Sequence, residues 1–384
     1  MGIIRFLLAV CVLLWHCPKG ILGTYLHPAL AVQCFYAISG FLIQMAIWAN
    51  YQGTIGWQKR FYMSRVLRLY PLYMVFFLVS AGLTGPGNFS YYMAQHEFGL
   101  ALLWLFNNLL IVGQDALRFF CLDMNTWHFS LLPGSPAERA TVLAHVNRGS
   151  MTLLGQSWTL ALELYFYVLA PFLLLRRSLI LVALILLSVA IRFWLGYHGH
   201  VNNQWLYGFF PSELAVFLLG ALAYRAYLRF FASGRVARLL EHYGCTNGNR
   251  ALLVLSAAAV ATLCVGYRVI HLDFGWGHYD APPLGVPVGY WVVFFVTVLL
   301  LPFAFHLSKN FKPDRFIGEL SYPIYISHMT VLALLTDRVP ARYVAPVVII
   351  ICTLLSIVLV RLVEQPLDRL RHKLFYRRGD LIKA

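Results

Sequence analysis

Apolar stretches long enough to cross a bilayer recur along the chain from its first residues to about residue 363. A helix needs about 20 such residues to cross roughly 30 Å of hydrocarbon. The approximate bounds of the candidate stretches are 3–22, 28–49, 69–85, 158–175, 178–195, 207–228, 251–271, 287–307, 318–336 and 343–363. Composition agrees, because 60% of the residues are hydrophobic and 12% are charged. We therefore predict an all-α, polytopic membrane helix bundle of about ten transmembrane helices.

Basic residues gather in alternate loops, and this pattern predicts the orientation of the bundle. The clusters lie in 51–68, 225–250, 308–316 and the tail after residue 364, which we place in the cytoplasm together with both termini. The chain holds 30 Lys and Arg against 15 Asp and Glu, a net charge of +15. In a soluble protein that excess would indicate nucleic acid, but the positive-inside pattern accounts for it here, so we predict no nucleic-acid partner.

The apolar segment 98–113 is predicted not to cross the membrane. Counting it as a span would place basic loops on opposite sides, and the segment is short and carries Asn107 and Asn108. We interpret 86–157 as one large outer excursion whose apolar helix dips into the membrane or lies on it.

One membrane domain accounts for most of the chain. We assign 1–366 to this domain and 367–384 to a basic cytoplasmic tail. The N-terminal segment lacks a small-residue cleavage site, so we expect it to be retained. The seven cysteines are scattered without paired ligand spacing, and we therefore predict neither a disulfide framework nor a metal site.

The first span carries two ionisable residues, Arg5 and His16. Their separation is close to three helical turns, which places both on one face, roughly 16 Å apart along the axis. Ionisable residues in a span are costly and indicate a functional site lined by protein or water. The alternative is that Arg5 anchors the membrane edge and His16 caps the outer end, and these two residues alone do not decide between the interpretations.

Two other spans contribute small or basic residues. Ser39 and Gly40 lie inside the second span, where small residues permit close helix packing. Arg65 and Arg68 lie three residues apart at the cytoplasmic entrance of the third span. Two guanidinium groups on one face suit a phosphate group, and positive-inside anchoring is the alternative.

Glu163 lies about two turns into the fourth span. An unpaired carboxylate at that depth would be expensive, so we expect a partner. The candidate partners are Arg5, His16 and His328.

A polar stripe follows one face of the ninth span, because Ser321, Tyr325 and His328 recur at helical spacing. A stripe that ends in histidine inside a membrane indicates a lined cavity better than a lone histidine does. In the last span we interpret Arg361 and Glu364 as a local ion pair.

These residues stand in successive motifs that resemble the signatures of the acyltransferase 3 family of integral membrane acyltransferases. In chain order the motifs are Arg5 through His16, Phe35-Tyr36-Ala-Ile-Ser39-Gly40, Arg65 and Arg68 before Tyr70-Pro71-Leu-Tyr73, Trp158-Thr-Leu-Ala-Leu-Glu163, Ser321-Tyr322-Pro-Ile-Tyr325-Ile-Ser-His328 and Val363-Glu364-Gln-Pro366. Each motif is weak alone, but the ordered set covers nearly the whole chain. Tyr36 and Thr159 depart from the commoner Phe and Ser without touching an ionisable position. We expect no appended hydrolase-like domain and therefore no second catalytic site.

The resemblance implies a multi-pass enzyme of the bacterial inner membrane, of the glycan O-acetyltransferase type. It implies transfer of an acyl group, usually acetyl, from cytoplasmic acyl-CoA to a hydroxyl of a glycan or lipid-linked saccharide, such as an exopolysaccharide or lipopolysaccharide precursor. Acetyl-CoA is then a substrate, no metal is needed, and membrane lipids surround the protein. The sequence does not identify the acceptor.

The resemblance also assigns roles to residues. His16 is the expected general base. Glu163 would orient that imidazole or balance Arg5, and Arg5 would contact the donor or polarise its thioester carbonyl. The residues assigned to the donor site are Arg65, Arg68, Tyr73, Ser39 and His328. The rival function is a polytopic transporter of a polar or anionic substrate, which would also place ionisable residues in spans, although no inverted repeat is visible.

Overall fold

The computed structural model describes residues 1–18, 27–51, 56–84, 88–123, 126–132, 151–200, 203–236, 238 and 288–375. In chain order the helices are α1 (Gly2–His16), α2 (Pro28–Ala46), α3 (Trp57–Thr84), α4 (Asn88–Ala94), α5 (Phe98–Leu110), α6 (Gln114–Leu117), α7 (Trp158–Leu173), α8 (Ser178–Tyr197), α9 (Asn203–Leu206), α10 (Phe210–Tyr227), α11 (Val288–Ser308), α12 (Lys312–Glu319), α13 (Ser321–Leu335), α14 (Ala341–Leu359) and α15 (Gln365–Phe375). Single π-helical turns extend α2, α10 and α14 at Ile47–Tyr51, Leu228–Ala232 and Val360–Glu364. The antiparallel strands β1 (Phe120–Leu122) and β2 (Phe129–Leu131) form a short hairpin in the outer excursion.

The protein is an all-α membrane helix bundle, as predicted. Within the described ranges, the helical segments long and apolar enough to cross a membrane are Pro28–Tyr51, Trp57–Leu83, Ser178–Tyr197, Phe210–Ala232, Tyr290–Ser308 and Ala341–Phe375. The helices α1, α5 and α7 are apolar but shorter. The predicted span 251–271 lies outside the described residues, so the count of about ten spans stays a prediction.

The third helix begins well before the span predicted at 69–85. It starts at Trp57, so most of the basic segment 51–68 is helical rather than a loop. The physical reason is that residues 58–70 contain neither Gly nor Pro and are rich in good helix formers such as Arg, Leu and Met. Arg65 and Arg68 are therefore held on a regular helix.

The apolar helix of the outer excursion, α5, has 13 residues, fewer than the roughly 20 that a spanning helix needs. Its C-terminal end is held by amide side chains. Asn107 and Asn108 both donate Nδ2 hydrogen bonds to the carbonyl of Met151, at 2.8 and 3.0 Å, and the Tyr73 hydroxyl donates to the Asn108 carbonyl at 2.6 Å. Irregular backbone at membrane depth requires such partners, which explains why two asparagines end an apolar helix.

A labelling experiment tests this topology. Because α5 is too short to span, Gln95→Cys before it and Leu131→Cys after it should both react with an impermeant thiol reagent from outside, in a background without the native cysteines. Arg60→Cys, exposed at the predicted cytoplasmic end of α3, is the matched control and should react only after permeabilisation. Reaction of Gln95→Cys and Leu131→Cys from opposite faces would show that α5 crosses the membrane.

Two glycine contacts set the helix positions around the site. A Cβ at Gly40 on α2 would lie 1.9 Å from the Phe217 carbonyl oxygen, and one at Gly220 on α10 would lie 1.8 Å from the Ala37 carbonyl oxygen. The backbones of α2 and α10 therefore touch, which confirms the packing role predicted for the small residues around Ser39. This crossing fixes the position of Ser39.

The start of α1 is docked on α12 through Asp314. Its carboxylate accepts hydrogen bonds from the backbone N–H groups of Gly2 and Ile3 at 2.8 and 2.9 Å. Burial raises the pKa of the Asp314 carboxyl, but the hydrogen bonds from Ile3, the N-terminal ammonium group and Gly2 outweigh it, so the pKa lies below its ordinary value. The rotation of α1, and with it the direction of Arg5, follows from this contact.

Candidate active site

Charged side chains from four helical segments meet at the end of the bundle that is predicted to be cytoplasmic. Arg5 on α1 lies within electrostatic range of Arg68, Glu364 and Glu163. Glu364 belongs to the π-helical turn after α14. Carboxylates from two other segments thus balance an arginine in the first span, as a buried charge requires. We call Arg5, Arg68, Glu163 and Glu364 the charged cluster.

Glu163 is held by hydroxyl groups. The Ser39 Oγ donates to Glu163 Oε1 at 2.6 Å, and the Tyr167 hydroxyl donates to the same oxygen from the next turn of α7. Of the partners predicted for Glu163, Arg5 lies within electrostatic range, whereas no hydrogen bond joins Glu163 to His16 or His328, residues that the structure describes. The carboxylate is thereby held by two hydroxyl groups, with Arg5 within electrostatic range.

Arg65 is a buried guanidinium group that forms no salt bridge with a carboxylate of the residues that the structure describes. Its guanidinium carbon lies 5.5 Å from the ring centre of Phe61 and 5.9 Å from that of Tyr167. Nη2 contacts the Ser64 hydroxyl at 3.4 Å, while Nε has no hydrogen-bond partner among the described residues. An unused buried donor on a cation is costly, so this group is suited to an anionic ligand.

Arg68 has the opposite surroundings. It is exposed and lies within electrostatic range of Glu364 and Asp368, and all three line a small pocket with Glu319. The arginine pair therefore shares one helix but not one environment. Protein carboxylates already balance Arg68, whereas no carboxylate of a described residue forms a salt bridge with Arg65.

Two imidazoles meet at the other end of α1. The ring centres of His16 and His328 lie 5.1 Å apart. Nδ1 of His16 lies 2.9 Å from the Val12 carbonyl, and Nδ1 of His328 lies 2.7 Å from the Tyr325 carbonyl. A carbonyl only accepts, so each Nδ1 carries a proton, and in the neutral form of either ring Nε2 is the atom with the lone pair. We call His16 and His328 the histidine pair.

The histidine pair combines one accessible and one buried ring. His16 is exposed at the end of α1, whereas His328 is buried and its Nε2 has no hydrogen-bond partner among the described residues. The pair and Arg5 lie about 16 Å apart along α1. The structure therefore separates the predicted catalytic residues into two groups, with Arg5 and Glu163 in the charged cluster and His16 beside His328.

A family comparison identifies the chain. The family model for the acyltransferase domain, Acyl_transf_3, matches residues 1–363. The protein belongs to this acyltransferase family. The resemblance based on the ordered motifs is thereby confirmed.

Curated relatives of this acyltransferase include the proteins named O-acetyltransferase OatA from Staphylococcus aureus strains NCTC 8325 / PS 47, COL and MRSA252. Each is 23% identical over 374 residues, an alignment that covers 90% of this chain and 53% of the relative. The chain thus spans about half the length of these relatives. No solved structure matches the chain.

Two other assigned residues of the acyltransferase have structural partners. The Tyr73 hydroxyl, assigned to the donor site, is fully buried and engaged by Asn108 and by Gln114 Nε2 at 3.3 Å. Its donor-site role stays a prediction that this geometry does not support. Ser321, the first residue of the polar stripe, donates to the Gly318 carbonyl of the preceding helix α12 at 2.7 Å.

The predicted ion pair between Arg361 and Glu364 is wrong. These two described residues form no salt bridge, and Glu364 instead lies within electrostatic range of Arg68 and Arg5. The stretch Val360–Glu364 is π-helical, and the wider turn rotates residues three apart away from each other. Sequence spacing predicted the pair on the assumption of a regular α-helix.

Sequence reasoning missed a buried ion pair in the acyltransferase bundle. Arg192 on α8 contacts Glu213 Oε1 on α10, and both side chains are buried. The Gln33 amide donates to the same oxygen at 2.7 Å, and Tyr290 donates to Gln33 at 2.6 Å. Charged residues inside two predicted spans were the available signal, because such residues are rare in hydrocarbon.

Within the described ranges, no group of three or more His, Cys, Asp or Glu side chains is placed to hold a metal ion.

Proposed function

We propose that the protein is a membrane O-acyltransferase that moves an acyl group, acetyl in the first instance, from cytoplasmic acyl-CoA to a hydroxyl of a glycan or lipid-linked saccharide. The observation that carries this proposal is the histidine pair, in which two imidazoles, each with Nδ1 bound to a backbone carbonyl, lie with ring centres 5.1 Å apart inside a member of an acyltransferase family. The name of the Staphylococcus aureus relatives, O-acetyltransferase, supports the choice of acetyl and of an oxygen acceptor.

In this proposal His16 is the general base. Its exposed ring is accessible to an acceptor. Nδ1 donates a hydrogen bond to the Val12 carbonyl, so Nε2 is the nitrogen that can act as the base. The acceptor oxygen bonds to the thioester carbonyl carbon while Nε2 takes the hydroxyl proton, and the carbon–sulfur bond then breaks. The proton passes to the departing thiolate of coenzyme A, so atoms and charge balance. His328 supplies a second Nε2 beside the reacting atoms.

The donor would approach from the cytoplasmic end. Coenzyme A carries phosphate groups, and the unused Nε of Arg65 is a charge-assisted donor for one of them. Arg5 lies between this level and the histidine pair on the same helix, so it would contact the donor arm or polarise the thioester carbonyl. Glu163, bound by Ser39 and Tyr167, would hold Arg5 in that direction.

A transfer assay tests the function. Full-length protein in nanodiscs is incubated with labelled acetyl-CoA and isolated bacterial surface glycans, and both free thiol and glycan-bound label are measured. Thiol release together with label on a glycan hydroxyl is expected. Accumulation of a glycan or an anion inside proteoliposomes without thiol release would instead establish the transporter alternative.

Arg65 should contribute more to donor binding than Arg68. Each lost charge-assisted bond costs about 1.5–3 kcal/mol, so Arg65→Ala should weaken donor affinity about tenfold to hundredfold. Arg68→Ala should have a smaller effect, because Glu364 and Asp368 already balance that charge. The measurement is calorimetric titration with a non-hydrolysable acyl-CoA.

Arg60→Ala is the matched control for this series, because Arg60 is an exposed arginine on the first turn of the same helix. Its affinity for the donor should equal that of the wild type. If the double variant Arg65→Ala, Arg68→Ala binds the donor with unchanged affinity, the donor site does not lie on this helix.

A further inference from the structure

A row of aromatic side chains leads away from the histidine pair. The Tyr325 ring centre lies 5.9 Å from that of His328. The Tyr325 hydroxyl shares a 2.7 Å hydrogen bond with Thr159, the neighbour of Trp158 on α7. Trp158 in turn meets Tyr207 edge to face, with ring centres 4.9 Å apart. We call Tyr325, Trp158 and Tyr207 the aromatic row.

The aromatic row is closed at one end and open at the other. Tyr325 and Trp158 are buried, whereas Tyr207 is half-buried in the short segment between α9 and α10. Half-buried Arg118, which follows α6, lies flat on Trp158, with its guanidinium carbon 4.0 Å from the ring centre. The row thus connects an accessible edge of the excursion with the buried His328.

A carboxylate oxygen with unused hydrogen-bonding capacity lies within electrostatic range of the row. Glu213 interacts electrostatically with Tyr207 and is fully buried. Arg192 and Gln33 both bind its Oε1, while Oε2 has no hydrogen-bond partner among the described residues. A buried carboxylate oxygen without a donor is costly, so a ligand hydroxyl that donates to it would be stabilised.

Two cations near the row, Arg192 and Arg118, each have a carboxylate within electrostatic range. Arg192 is paired with Glu213, and Arg118 lies within electrostatic range of Asp115. There is therefore no surplus cation among these four side chains to select a phosphate or carboxylate. What remains is apolar ring surface, the unused Oε2 of Glu213 and the hydroxyl of half-buried Tyr207, because the hydroxyls of Tyr325 and Thr159 bind each other.

We propose that the aromatic row binds the acceptor, and that the acceptor is recognised there as an uncharged saccharide ring; this rests on the proposed acyl transfer. A pyranose has an apolar C–H face that stacks on aromatic rings and an edge of hydroxyls that donate to oxygen atoms. Trp158 and Tyr207 supply the rings, and Glu213 Oε2 supplies an acceptor oxygen. A saccharide bound at Tyr207 and Trp158 would place a further unit toward Tyr325 and the histidine pair, where one of its hydroxyls would react.

Tyr207 is the position at which to test the proposal. It is half-buried and lies outside the long helices, so Tyr207→Ala leaves the bundle core in place. Tyr207→Phe keeps the ring and should retain most of the binding. Tyr197→Ala is the matched control, because this tyrosine at the end of α8 is 84% exposed and lies outside the aromatic row.

The binding measurement is saturation-transfer difference NMR on the full chain in nanodiscs prepared without sugar-based detergents. The probes are the methyl pyranosides of glucose, galactose, mannose and N-acetylglucosamine, with methyl glucuronide as the anionic comparison. At least one neutral pyranoside should receive saturation, and its affinity should fall about tenfold or more in Tyr207→Ala but not in Tyr197→Ala. Equal binding by both variants, binding of the glucuronide alone, or no pyranoside binding to the wild type would overturn the proposal.

Thiol release from acetyl-CoA separates this proposal from the proposed function. Where transfer occurs, Tyr207→Ala should raise the KM for the glycan about tenfold and leave donor affinity unchanged. Transfer with an unchanged KM in Tyr207→Ala would overturn the proposal that the aromatic row binds the acceptor, and it would leave the enzyme assignment intact. Pyranoside binding that depends on Tyr207, without thiol release, would support the row and overturn the acyl transfer.

Discussion

His16→Ala is expected to lower the rate of acyl transfer by roughly a hundred- to ten-thousand-fold, the usual contribution of a general base. Donor binding should survive, because we attribute it mainly to Arg65 on α3, at the predicted cytoplasmic end of the bundle. His16→Gln should do no better than alanine, since an amide keeps a hydrogen bond but accepts no proton. The measurements are thiol release with a glycan acceptor and calorimetric donor affinity on the same preparations.

His328→Ala is the discriminating companion. Its ring contacts His16 and its Nε2 is unused, so the two imidazoles compete for the role of base. We expect a smaller loss of rate in His328→Ala than in His16→Ala, because only His16 is exposed to an incoming acceptor. An inactive His328→Ala beside a His16→Ala variant with substantial turnover would place the base on α13.

Gly40→Ala is expected to destabilise the bundle by about 1–3 kcal/mol or more, as overpacked cores generally are. A Cβ at Gly40 would lie 1.9 Å from a backbone oxygen of α10, so the two helices would have to separate. That separation would also move Ser39 away from Glu163, so activity should fall with stability. Thermal unfolding in detergent and the transfer assay measure the two effects.

Gly82→Ala is the control for this crossing. Gly82 lies on the exposed face of α3, where an added Cβ meets no atom within 4 Å, and alanine is the better helix former. Its melting temperature should equal or exceed that of the wild type. Gly220→Ala, the reciprocal change on α10, should behave like Gly40→Ala. Equal melting temperatures for Gly40→Ala and Gly82→Ala would show that the crossing tolerates separation.

The sequence alone determined the features that depend on local interactions. Apolar length and helix propensity act within a segment, so the helical class of the bundle and the short helix at Phe98–Leu110 were predictable. The common face of Arg5 and His16 follows from helical periodicity in the same way. The order of the motifs then indicated the acyltransferase family, which the match over residues 1–363 confirms.

Only the tertiary structure decided which distant side chains meet. Spacing along the chain does not specify that Glu163 lies within electrostatic range of Arg5, that His328 lies beside His16, or that Glu213 pairs with Arg192 across two predicted spans. These contacts depend on the rotation and depth of whole helices, which glycine crossings, the Asp314 contact and the π-helical turns set together. Two residues three positions apart share a helix face only while the helix stays a regular α-helix. In the membrane interior, the packing of the helices determines which side chain becomes the partner of a charge.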